Sequence, residues 1–265
     1  SQFLPHQVPY GDFKSLANLL RSWMDVYSLD KNVGFYRMRS SSQDTAEVVE
    51  VNNGNFYVSS FEGKLIKPIV DVNRVFGYDT SKRYARSFER YSIEELYNKE
   101  QITANKIPVG FTGLKFTMEP GEEKRINTVI GHSYSEEHLI EVASEISNET
   151  YLTNKRIEAQ NEIEFMLDDV TTETNFPIFD EYIKQNYLDN LLRGGYPLIL
   201  KGEKQNHVYH LFSRRHGDLE RDYNFFSLAP EFYSQGNGNF RDVCQNRRNE
   251  IFMNPLIEDF NMKMF

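Results

Sequence analysis

The feature that most constrains this chain is a change of hydrophobic period near Ser133. Between residues 33 and 131, apolar side chains recur in short runs rich in β-branched and aromatic residues, at 33–38, 46–51, 56–60, 65–70, 109–111, 114–118 and 125–131. Turn-forming clusters separate the runs, notably Asn52-Asn53-Gly54-Asn55, Glu62-Gly63-Lys64 and Glu119-Pro120-Gly121-Glu122. Many short strands with regular turns imply an antiparallel sandwich. The clearest hairpin is expected at Pro120-Gly121, followed by alternation at Ile126, Val129 and Ile130. After Ser133 the spacing turns helical. Strands first and helices second is an α+β order.

The helical part reads as three segments. Ser133-Tyr134-Ser135-Glu136 has the spacing of a capping box, and Leu139, Ile140, Val142, Ala143 and Ile146 follow it. A second helix is expected over about 150–170, with Ile157, Ile163, Phe165 and Met166 on its apolar side. The third is the best defined. Asn175 can cap it, Pro177 sits in its first turn, Phe179, Tyr182, Ile183, Tyr187, Leu188, Leu191 and Leu192 form the stripe, and Gly194-Gly195 stops it. Before the sheet, Leu16, Leu19, Leu20, Trp23 and Tyr27 have the spacing of an amphipathic helix over about 12–28. Residues 78–104 form a polar excursion with a short helix expected at 93–98. Its Arg83, Tyr84, Arg86, Arg90 and Tyr91 are either solvated or placed to meet a ligand or a neighbouring subunit. Residues 196–240 read as loop-rich. The segment 251–265 ends on Phe260, Met262, Met264 and Phe265, which call for a cover, so a longer parent protein is expected. Three domains result: a β domain over 1–132, a helical linker over 133–174 and an incomplete helical domain over 175–265.

Composition narrows the partners. A net charge of −9 argues against nucleic acid, because phosphate backbones call for basic surfaces. The single cysteine, Cys244, rules out an internal disulfide and a cysteine zinc cluster and reads as a packing thiol. No apolar run approaches the length of a membrane span, and no signal peptide is read, so the expected setting is reducing and cytoplasmic. His207-x-x-His210 has no carboxylate or thiol at metal-ligand spacing, so these read as surface or packing histidines and no metal site is expected there.

The densest chemistry is the stretch 236–249, with two glycines, four asparagines, three arginines, one aspartate and one glutamine in fourteen residues. Amides, guanidinium forks and a carboxylate suit a ring of sugar hydroxyls, and Tyr223, Phe225, Phe226, Phe232, Tyr233 and Phe240 crowd the approach. Asp222, Glu231, Glu250 and Asp259 lie nearby. Asp242 directly follows Arg241, whose cation holds a carboxylate ionised, so Asp242 suits a hydroxyl acceptor better than a proton donor.

Tyr233-Ser234-Gln235-Gly236-Asn237-Gly238-Asn239-Phe240-Arg241-Asp242-x-x-Gln245 resembles the Gly-Phe-Arg-Asp-x-x-Gln-Asp signature of the cellobiose and chitobiose phosphorylase family. The continuation Asn246-Arg247-Arg248-Asn249 is most similar to its large members acting on β-glucan oligosaccharides. The resemblance implies an antiparallel β-supersandwich, linker helices and the first part of an (α/α)6 barrel. It implies phosphorolysis of a β-glycosidic bond with inversion, giving α-glucose 1-phosphate, with phosphate as co-substrate and no cofactor. Arg241, Asp242, Gln245, Asn246 and Arg247 would bind the sugar before the scissile bond. A homodimer is implied as well. Asn246 stands where many members have a second Asp. The family's proton donor lies in a Trp-Asn-Asp motif, which this chain lacks, its one Trp being Trp23. No catalytic residue is therefore assigned here, and the rest of the barrel is an expected partner. The alternatives are a non-catalytic carbohydrate-binding or assembly module, and a glycoside hydrolase sharing the barrel.

Overall fold

The computed structural model describes residues 19, 22–40, 46, 50–204, 206–211, 248 and 250–263. The chain is a mixed α+β protein with antiparallel sheets and several helices. It divides into two compact units, residues 1–155 and 156–265.

The first unit is built on five strands: β1 (Met24–Tyr27), β2 (Gly34–Met38), β3 (Gly54–Phe61), β4 (Lys64–Ile66) and β5 (Ile126–Ser133). β3 is the centre. It pairs with β2 through Gly54-side residues 55–57, with β4 through 59–61, and with β5 along its whole length, always antiparallel. Alternation then sorts its side chains onto two faces. Phe56 and Val58 join Val33, Phe35 and the α4 residues Leu139 and Ala143, where α4 is the helix Glu136–Ile146. Tyr57 joins Met24, Val26, Tyr36, Met38 and Val70 on the opposite face. Both faces are therefore covered. The tyrosines keep their hydroxyls satisfied: Tyr36 donates to the Val109 carbonyl at 2.8 Å, and Tyr57 lies 2.9 Å from Thr112 Oγ1. Gly131 lets β5 approach, since a Cβ there would sit 2.7 Å from the Phe56 ring.

Three sequence expectations fail in this unit. The stripe read as a helix over 12–28 ends in a strand: Leu19 and Ser22 are helical, but Met24–Tyr27 is β1, bonded to β2 in continuous register. Met24 and Val26 are the buried pair, so burial by alternation outweighs the helical spacing of Trp23 and Tyr27. The hairpin at Pro120-Gly121 forms only its turn, closed by Glu122 N–H donating to the Glu119 carbonyl. Residues 114–118 stay out of the sheet, Phe116 stacking on Phe61 instead, and β5 pairs with β3, which offers it eight partners. The cap of α4 is Ser135, whose Oγ accepts from His138 N–H. Ser133 ends β5.

The helix α1 (Asn73–Phe76) leads into the polar excursion, which contains α2 (Arg86–Arg90) and α3 (Ile93–Asn98). The last matches the expected short helix, and Ser92 and Glu95 close a full capping box around its first turn. A buried carboxylate ties the excursion to the sheet. Asp71, 3% exposed, accepts from Lys106 Nζ at 2.7 Å and from Asn73 N–H at 3.0 Å, while Gln101 bridges the Val70 N–H and the Pro68 carbonyl. Burial raises the Asp71 pKa, but these bonds and the Lys106 charge outweigh it and leave it below the usual carboxylate value.

The second unit begins within α5 (Glu149–Leu167), a helix that buries none of its side chains. α6 (Pro177–Gly194) follows, then a hairpin of β6 (Tyr196–Leu200) and β7 (His207–Leu211), and the short α7 (Glu250–Met253) and α8 (Phe260–Lys263). Pro177 opens α6 as expected and Gly195, at φ 91°, follows its end. Asn175 is not the cap. Phe176 occupies that position, and the turn before it is held by Thr174, whose Oγ1 donates to Asp180 at 2.9 Å. The hairpin is a gain on the loop-rich reading of 196–240, the part beyond Leu211 lying outside the described residues. Tyr187 and Leu191 of α6 pack with Val170. Among the described residues, no helix is long and apolar enough to cross a membrane.

Candidate functional site

The second unit holds a cavity of about 310 Å³ whose principal wall is one face of α6. Ile183, Asn186, Tyr187, Asn190 and Leu191 recur at helical spacing and therefore share a stripe. Pro197 of β6 and Glu250, Met253 and Asn254 around α7 complete it. Most of this surface is apolar, so the few polar groups define its chemistry.

Glu250 is the central one. Its side chain is 8% exposed, and both carboxylate oxygens lie 3.0 Å from Nε2 of the buried His210 on β7. Asn261 Nδ2 donates to the same carboxylate at 2.5 Å. Asn190 donates its Nδ2 to the Asn186 carbonyl, which leaves its Oδ1 available as an acceptor. The Tyr187 hydroxyl donates to Asp169 at 3.3 Å. Burial first, then the neighbouring Asp169 carboxylate, pushes its pKa well above the usual phenol value, so it stays protonated. The cavity thus presents one recessed acceptor, amides and phenol rings, on an apolar floor.

The residues of the signature stretch, Arg241, Asp242, Gln245, Asn246 and Arg247, lie outside the described residues, as do Cys244, Asp222 and Glu231. Arg248 is exposed. Of the described neighbouring carboxylates, Asp259 makes a surface pair with Lys263 at 2.8 Å, and Glu250 lines the cavity. The two imidazoles of His207-x-x-His210 have separate surroundings: His207 meets the Phe260 ring edge-on at 5.3 Å, while His210 holds Glu250. Among the described residues no three potential metal ligands converge. The pairing of His210 with Glu250 escaped sequence reasoning, because forty residues separate them and the His207-x-x-His210 spacing does not point to position 250. Comparison with known proteins found no matching family model, no matching curated protein and no matching solved structure.

Proposed function

We propose that this chain is the sheet domain, linker and opening helical segment of an inverting glycoside phosphorylase that cleaves β-linked gluco-oligosaccharides with inorganic phosphate. The observation that carries the reading is the signature at 233–245, with Arg241, Asp242 and Gln245 in the sugar-binding positions. An Arg–Asp neighbour pair supplies a fixed donor fork and an ionised acceptor, which neutral hydroxyls require from a site without a metal. An antiparallel sheet followed by helices is the order of domains this reading needs, with the sheet as supersandwich and the later helices as barrel. The proton donor lies outside this chain, since Trp-Asn-Asp does not occur in it.

The test is phosphorolysis by the parent polypeptide. Phosphate-dependent release of α-glucose 1-phosphate is expected, and Arg241→Ala should lower turnover roughly 10- to 100-fold, the effect of removing one charged hydrogen-bond donor. Turnover that proceeds without phosphate would identify a hydrolase. Unchanged turnover in Arg241→Ala would point to a non-catalytic binding module.

A further inference from the structure

The cavity beside α6 carries more polar chemistry than packing requires. Ile183, Tyr187, Leu191 and Pro197 would form an adequate apolar wall with any small residue at position 250. A carboxylate stands there instead, more than nine-tenths buried, and His210 and Asn261 hold its oxygens in one orientation. Taking a carboxylate out of water costs several kcal/mol, which one imidazole partner offsets only in part. Such a group is retained where it receives a ligand's donor. The cavity volume of about 310 Å³ lies at the lower end of the range of small-molecule sites.

The lining selects a ligand class. A purely apolar molecule leaves the Glu250 acceptor and the asparagine amides without new partners, and an anion is repelled by Glu250. A six-membered sugar ring satisfies both parts, because its C–H face packs on apolar and phenol surface while its hydroxyls donate to a carboxylate and accept from amides. We propose that this cavity binds one pyranose ring of a neutral β-glucoside, with Glu250 accepting from a hydroxyl and Leu191 and Tyr187 against the ring face. The choice of a glucoside rests on the function proposed above. The location rests instead on the described lining residues, which lie at 170–197 and 250–254.

Methyl-resonance titration of the 265-residue chain with methyl β-glucoside tests this directly. The Ile183 and Leu191 methyls should shift saturably, with a Kd on the order of 1 mM, typical of a single sugar held by few bonds. Asn186→Trp, at an exposed helical position bordering the cavity, puts a ring over the mouth and should weaken the response at least about tenfold. Arg241→Ala should leave it unchanged. The proposal is overturned if the methyls do not move, if they respond equally in Asn186→Trp, or if cyclohexanol binds there more tightly than the glucoside. Loss of the response in Arg241→Ala alone also overturns it, because the sugar then belongs to the signature. A parent protein without phosphate-dependent turnover, but with these shifts intact, defeats the phosphorylase reading and leaves this one standing.

Discussion

The two units handle apolar surface in opposite ways. In the first, the central strand is covered on both faces, and Phe35, Val58 and Leu139 are completely buried. In the second, α5 has no fully buried side chain, and the capping residue and first turns of α6 leave Phe176, Ile178, Phe179 and Tyr182 exposed. The difference teaches where stability resides and where binding surface is left over. A central strand closed on both faces offers no apolar surface, and the sheet's exposed apolar groups are confined to positions such as Ile126 and Ile130 of β5, whereas helices with open faces keep such surface for another occupant.

The sharpest way to break the contrast is to empty the first core. Phe35→Ala removes a 0%-exposed ring from the cluster under α4 and should cost about 3–5 kcal/mol, read by chemical denaturation. A loss below about 1 kcal/mol would mean that this core is not the one that closes.

A smaller effect is expected at the buried carboxylate. Lys106→Met deprives Asp71 of its cation and should cost about 1–3 kcal/mol at neutral pH. The folded pKa of Asp71 is lowered, so its contribution is complete above the ordinary value of 3.8 and is lost as pH falls through that value and below it. Lys106→Met should reverse the sign, since a buried carboxylate without its cation gains from protonation. Unfolding midpoints measured between about pH 3 and 6 should converge for the two proteins as pH falls. Parallel curves would show that Asp71 is held by its backbone donors instead.

The smallest effect belongs to the open helix. Ile178→Ser, at a side chain 87% exposed, should change stability by less than about 0.5 kcal/mol. A loss comparable to Phe35→Ala would show that α6 is covered in solution and would erase the distinction between the units.

Much of this architecture is legible in the residues. The β2, β3 and β5 runs, the short helix at Ile93–Asn98 with its Ser92–Glu95 box, and the proline entry and glycine exit of α6 all follow from local pattern. Pairing is legible only in part. Pro120-Gly121 specifies a turn, but β5 bypasses residues 114–118 for β3, because eight consecutive ladder partners outweigh a short adjacent one. The candidate site is less legible still. His210 and Glu250 were each visible as titratable residues, yet only folding joins them.

By itself, the sequence determined the mixed α+β class of the protein and the periods that make strands and helices. These are local properties, carried by spacings of two to four residues and by side-chain type. Tertiary structure alone decided that Met24–Tyr27 would be a strand, that Asp71 would be locked by Lys106, and that Glu250 would be recessed in a cavity with His210 behind it. Each of those outcomes depends on competition among partners far apart in the chain, and burial is won by whichever arrangement satisfies the most apolar area and the most polar groups together.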